Sequence, residues 1–218
     1  MTATVITQNF KPTKTVHMND NDKNKRALDL AVTILALFVL SPLLAGIALL
    51  IKLTSAGPVL FSQTRIGKDG TPFSILKFRT MYQDAEARRD ALLATSDRTG
   101  VCFKSRNDPR ITPIGRLLRR FSIDELPQLF NVLTGEMSLV GPRPALQSEV
   151  EAYPKHAHGR LACKPGITGI WQVSGRADIG FDAMVSMDVA YARSKSLLLD
   201  IMILALTGRA VLFGRGAY

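Results

Sequence analysis

The chain has 218 residues, of which 46% are apolar and 21% charged; this excludes a disordered chain, and eleven Pro and sixteen Gly without a repeat exclude a fibrous one. Lys and Arg total 28 against 18 Asp and Glu, a formal charge of +10 that suggests an anionic partner: nucleic acid, acidic lipid headgroups or a phosphorylated substrate. Two cysteines, Cys102 and Cys163, and the lack of an Asn-x-Ser/Thr acceptor argue against a disulfide scaffold and for a reducing compartment.

Residues 1–22 are polar and without apolar periodicity, which predicts a mobile N-terminal tail. A basic knot of Lys23, Lys25 and Arg26 follows, and then Leu30 to Ile51 without a charge. As a straight helix that stretch is ~33 Å long, enough to cross a hydrocarbon core. Two features argue against a simple span. Pro42, preceded by Ser41, sits near the middle and deletes a backbone hydrogen bond. Basic residues also flank both ends, with Lys52, Arg65 and Lys68 after the segment, so the positive-inside tendency holds both ends in the cytoplasm. The expectation is a re-entrant membrane helix over 23–53, breaking at Ser41-Pro42, with a straight span as the rival. Residues 54–218 then form a cytosolic domain at the interface.

The runs VLFSQTRIG and TPFSILKFRTM, joined around Lys68-Asp69-Gly70, predict a β-hairpin within 54–82. Period two places Lys77 and Arg79 on one face, either as a solvated pair or as a pair facing a phosphate. A charged helix and a loop follow over 83–100, with no visible chemistry. Next, Leu117, Leu118 and Phe121 make an apolar helical stripe, and Arg116, Arg119 and Arg120 a basic one. A second helix is expected to start near Ser122–Asp124, where Ser122 and Glu125 have capping-box spacing and Pro127 is tolerated. Leu126, Leu129, Phe130 and Leu133 are its expected buried stripe, and Gly135 its end. Asp124 and Glu125 then occupy a first turn, where acidic residues are favoured for capping alone. Their surroundings offer more. Arg119 and Arg120 lie just upstream, and Arg143 is stiffened between Pro142 and Pro144. Such a set makes a pocket for a polyanion, and a carboxylate there stays ionised. It can hold Mg²⁺ together with substrate phosphates, or attack phosphorus.

Residues 182–196 predict a helix, and Leu197–Phe213 an apolar one interrupted by Asp200 and Arg209. The latter is too broken for a span and reads equally as a buried or an interfacial amphipathic helix. His156 and His158 have no third ligand nearby, and Cys102 and Cys163 read as small apolar residues.

The ordered motifs resemble those of the bacterial sugar transferases, the monotopic phosphoglycosyl transferases. They are Arg119, Ser122, Asp124-Glu125-Leu126, Gln128-Leu129, Asn131-Val132-Leu133, Gly135 to Ser138 and Val140-Gly141-Pro142-Arg143-Pro144, with Lys77 to Met81 and Ser41-Pro42 before them. Lys164 to Gly169 and Gln172-Val173-x-Gly175-Arg176 follow. The likeness covers roughly residues 23–213, and the size resembles the catalytic unit without the multi-span domain of larger relatives. Many relatives carry Trp-Ala-Gln-Val-Asn-Gly-Arg where this chain has Ile170 to Arg176, and a tryptophan where it has Lys195.

The resemblance implies an α/β fold, α-rich with a small β-hairpin, in a monotopic membrane protein with interfacial amphipathic helices, and it favours the interface for residues 197–213. By it Asp124 is the nucleophile and Glu125 its partner with Mg²⁺ (Mn²⁺ as a substitute), so that both are metal ligands. Arg119, Arg143, Pro142, Pro144, Lys77, Arg79 and Arg176 surround the substrate. It further implies a UDP-hexose donor, a polyprenyl phosphate acceptor (undecaprenyl phosphate), anionic lipid as a partner, no nucleic acid, and a place on the cytoplasmic face of the bacterial inner membrane. Self-association stays open. The rival classes are a non-catalytic scaffold for polysaccharide assembly and a membrane-anchored nucleic-acid binder; no Walker motif or nucleic-acid-binding motif is present.

Overall fold

The computed structural model describes residues 20–85, 87, 108–175 and 179–213. The tail over 1–19, nearly all of the expected 83–100 helix, Cys102 and Arg176 lie outside the described residues.

Helix α1 (Asp20–Thr54) begins inside the expected tail and contains the whole apolar segment. It continues through Pro42, so the expected break does not end the helix. A reason lies one residue earlier. Proline has no N–H for the carbonyl four residues back, that of Phe38. The Ser41 hydroxyl donates to that same carbonyl at 2.8 Å, so no acceptor is left bare beside the proline.

Asp29, Thr33, Ile47 and Ile51 are the buried residues of α1, and they lie on both sides of Pro42. The stretch between is exposed: Phe38 at 79% and Val39 at 61%, with Ser41, Pro42 and Leu43 beside them. Only 11% of the most apolar part of the helix is buried, unlike the core helix of a water-soluble domain. Two of the flanking cations point inward. Lys25 donates to Val140 O and pairs with Asp200 at 2.7 Å. Arg26 donates to the carbonyls of Val132 and Leu133.

The hairpin forms as expected, with β1 (Leu60–Ile66) antiparallel to β2 (Pro72–Phe78) and Phe61 opposite Lys77. Its turn passes through Asp69 with φ 55°. Two short helices follow, α2 (Pro113–Arg120) and α3 (Gln128–Thr134). Asn131 of α3 closes the outer edge of β2 by accepting from Leu76 N and donating to Ser74 O. Gly135 ends α3 at φ 86°, where a side chain would be strained. The buried face of α3 is Gln128, Leu129, Asn131 and Val132. Phe130 was expected there but is 47% exposed, because the helix starts later than the pattern implied and its inner face is rotated.

Beyond α3, β3 (Ser138–Val140) pairs in parallel with β4 (Gly166–Thr168). Around this pair stand α4 (Gln147–Glu151), α5 (Ile170–Ser174), α6 (Phe181–Ser194) and α7 (Leu197–Phe213). One core cluster joins the hairpin, α3 and β3 through Phe73, Ile75, Leu129, Val132, Met137 and Val140. A second joins α1 to the other end of the hairpin through Ile47, Ile51, Phe78 and Leu118. Each fully buried residue of this kind contributes roughly 1.5–3 kcal/mol.

Helix α7 turns Asp200 and Thr207 inward and leaves Arg209 exposed. Asp200 is buried against Lys25 and Tyr191, and Thr207 meets Thr168. Leu198, Ile201, Met202 and Leu206 are exposed. A buried amphipathic helix would do the opposite.

Candidate active site

Asp124 and Glu125 lie in a 3-10 turn, Ile123–Glu125, rather than in the first turn of an α-helix. Ser122 does not cap it: its backbone is left-handed, φ 55°, and its side chain makes no capping bond. Pro127 precedes α3, which opens at Gln128. The capping-box reading fails because Ser122 is the pivot between α2 and the turn. A residue with positive φ cannot hold the extended N-cap geometry.

The hairpin supplies the first cation. Lys77 Nζ lies 2.6 Å from Glu125 Oε1, with side chains 26% and 30% exposed. Such a pair adds only about 0–1 kcal/mol to stability, so its weight lies in the local potential. Arg119, at the end of α2, supplies the second. Its Nε donates to Thr80 Oγ1 at 2.9 Å. Thr80 is fixed in turn, since its carbonyl accepts from Thr112 N and Thr112 Oγ1. Helix α2 lies so close to that carbonyl that a Cβ on Gly115 would come within 2.1 Å of it. Nothing larger than glycine fits there, and the first turn of α2 is thereby pressed onto Thr80.

Asp124 is buried, 8% exposed. Burial pushes its carboxyl up to about 6; Glu125 adds to the push, and Lys77 and Arg119 oppose it. Near neutral pH it is therefore mostly ionised, desolvated, and balanced by two cations. Burial also lowers Arg119, while the charges of Asp124 and Asp108 hold it up. Asp108, bound bidentately by Arg110, had no signal in the sequence.

Arg79 is not gathered with Lys77 at Glu125. It follows the last residue of β2, its N donates to Val59 O, and its side chain is buried, 7% exposed, with Nη2 donating to Ser55 O and Oγ at the end of α1. It ties the exit of α1 to the hairpin.

Arg143, Pro142 and Pro144 form a second group at the turn end of the hairpin. Arg143 Nη1 donates to Glu149 Oε2 at 3.2 Å. The carbonyls of Pro142, Arg143, Pro144 and Ala145 accept, in order, from Gly166 N, Arg160 Nη2, Arg65 Nη1 and Ile66 N. Arg160 also donates to Tyr153 Oη and pairs closely with Asp188. Burial raises Asp188 to about 6, against the opposing charge of Arg160. The structure thus brings Lys77, Arg119, Asp124 and Glu125 together, and sets Arg143 on a separate, heavily bonded segment. Thr80, Gly115, Glu149 and Arg160 were not recognised as part of the site in the sequence.

The turn offers two adjacent carboxylates. Among the described residues no group of three or more His, Cys, Asp or Glu is gathered. A divalent ion there takes at most these two protein ligands and completes its shell from an anionic substrate, which suits Mg²⁺.

A sequence profile of the bacterial sugar transferases matches residues 20–214. The chain is 45% identical over 215 residues to the galactosyl transferase CpsE of Streptococcus agalactiae, covering 98% of this chain and 46% of that protein. It is 40% identical over 199 residues to the exopolysaccharide production protein ExoY of Sinorhizobium fredii, covering 89% of this chain and 88% of that one. It is 46% identical over 206 residues to the undecaprenyl-phosphate glucose phosphotransferase of Komagataeibacter xylinus, covering 89% and 37% respectively. The chain thus spans less than half the length of two of these relatives and most of the third.

Proposed function

Because the chain belongs to the bacterial sugar transferase family, we propose that it moves a hexose-1-phosphate from a UDP-hexose to a polyprenyl phosphate, undecaprenyl phosphate, releasing UMP. This is the first membrane step of exopolysaccharide assembly. The names of the relatives point to galactose and glucose as the hexose. The observation that carries the reading is Asp124: a buried, largely ionised carboxylate between Lys77 and Arg119, in a turn that offers Glu125 beside it.

In the first step a carboxylate oxygen of Asp124 attacks the β-phosphorus of the donor. The bond from that phosphorus to the bridging oxygen breaks, and UMP leaves with the electron pair. In the second, an oxygen of the lipid phosphate attacks the same phosphorus, and the Asp124 carboxylate departs unchanged. No proton has to move in either step. Arg119 and Lys77 balance the donor phosphates, and Thr80 keeps the Arg119 guanidinium in place. Mg²⁺, held by Asp124 and Glu125 with the diphosphate, supplies charge neutralisation when bound. Splitting the transfer keeps two polyanions from occupying the site together.

The membrane position is read from α1. Its buried residues, Asp29, Thr33, Ile47 and Ile51, lie on both arms, and none of Phe38–Leu43 is buried, while Ile34, Leu35, Leu49, Leu50 and Leu53 expose apolar surface along the arms. Together with Ser41-Pro42 and the basic flanks, this supports a helix that dips into one leaflet and returns, with both ends and the catalytic turn on the cytoplasmic face of the inner membrane.

The test uses the purified protein with a panel of UDP-sugars and Mg²⁺. Given the correct donor and no acceptor, it releases about one UMP per active site, and the peptide containing Asp124 gains one hexose phosphate. UMP release that begins only after both substrates bind, with no modified peptide, rules out the two-step path. Cysteines near positions 20 and 60, with Cys102 and Cys163 removed, resist an impermeant thiol reagent in intact cells if the helix is re-entrant. Labelling at position 20 alone establishes a straight span.

A further inference from the structure

Glu149 is a buried acid that the reaction above does not use. It is 3% exposed, on the short helix α4. Its Oε2 accepts from Leu146 N at 2.9 Å and from Arg143 Nη1 at 3.2 Å. A carboxylate is sunk this deeply only when cationic or N–H partners compensate it. Capping α4 needs one acceptor oxygen and no net charge. The charge faces Arg143, whose side chain stays 30% exposed.

The backbone beneath Arg143 is equally constrained. Four successive carbonyls are held by donors from three other parts of the chain, Arg65-Ile66, Arg160 and Gly166. Pro142 and Pro144 fix φ on either side. The backbone thus sets where the Arg143 side chain starts, and Glu149 sets where its guanidinium ends. Arginine otherwise loses much of its rotamer freedom when a ligand immobilises it.

We propose that Glu149 is a positioning residue for donor binding: its carboxylate holds the Arg143 guanidinium in the orientation that meets the UDP-sugar. This rests on Arg143 contacting the donor. Glu149 touches no substrate, and its influence passes entirely through Arg143.

Glu149→Gln separates the two roles. The amide keeps an oxygen for Leu146 N and the same volume, but removes the charge from Arg143. The variant, full-length in detergent with undecaprenyl phosphate, Mg²⁺ and the active UDP-sugar, should show a KM for that sugar about tenfold higher with kcat within twofold, and wild-type thermal unfolding. Repeating the change in an Arg143→Met background decides the route. The KM increase disappears there if Glu149 acts through Arg143. A KM effect of equal size in both backgrounds, or none in either while Arg143→Met itself raises KM, overturns the proposal and leaves Arg143 as a donor ligand. A wild-type KM and kcat for Arg143→Met overturn the underlying reading as well, so the two failures are distinguishable.

Discussion

The Asp124 turn and the Pro142–Ala145 segment are built on opposite principles. The turn is short, holds a desolvated carboxylate, and is balanced by charges that stop short of neutralising it. The segment has each carbonyl satisfied and stands on a fully buried Arg160–Asp188 pair. One region keeps electrostatic tension available for chemistry, and the other gives up mobility to fix a single arginine. Substitutions at the turn should therefore change rate and leave the fold intact, while those at the segment's foundation should do the reverse.

The largest expected effect is that of Asp124→Asn. UMP release should fall by at least about 10³-fold, because the amide is neutral and a poor nucleophile. Thermal stability should rise slightly at pH 7.5, since a desolvated charge has been removed. The sign follows from the raised carboxyl. The wild type loses stability as pH rises from the ordinary Asp range through about 6, so the advantage of the variant should vanish near pH 4. A clear loss of melting temperature at pH 7.5 would break the contrast. Chelation comes next, and should stop turnover until Mg²⁺ is returned, with the melting curve unchanged; activity that survives full removal of divalent ions sinks the metal assignment.

Arg160→Met tests the other region. It strands Asp188 in the interior and should cost about 3–5 kcal/mol of stability, read by denaturant unfolding. A change well under 1 kcal/mol would show that the segment does not depend on its buried pair. The smallest effect is that of Lys77→Met. Stability should shift by less than about 1 kcal/mol. Asp124 must be ionised to react, so kcat/KM should fall as pH drops through about 6, and this acid limb should move to higher pH in the variant, because Lys77 holds the Asp124 carboxyl down. An unmoved limb removes Lys77 from the electrostatics of the turn.

Ordered motifs made the dyad legible, together with Arg119 and Lys77: Lys77, named from the hairpin motif, meets Glu125 at 2.6 Å in the structure. The local geometry was not legible, because Ser-x-x-Glu spacing fits an α-helical cap and says nothing about a serine at φ 55°. Arg79 is taken up by Ser55 at the end of α1, a long-range partner that periodicity along the hairpin does not show. Lys25 and Arg26 were read as a flank for the membrane, whereas they bond to Asp200, Val132 and Leu133, residues more than a hundred positions away. The Arg160–Asp188 pair and the parallel pair β3–β4 were hidden for the same reason. Long-range polar partners leave no periodic trace, and three-residue strands are too short to show one.

The junction of Lys25, Asp200, Tyr191 and Val140 has a mechanical meaning. Lys25 belongs to α1, and Asp200 to α7; Lys25 Nζ donates to Val140 O and to Asp200, and Tyr191 Oη donates to Asp200 at 2.6 Å while lying 3.0 Å from Val140 O. The two helices that expose leucines are thus coupled at one carbonyl, a single peptide ahead of Gly141. A tilt of either helix would therefore be felt first at the backbone entering Gly141, at the root of the arginine-bearing segment.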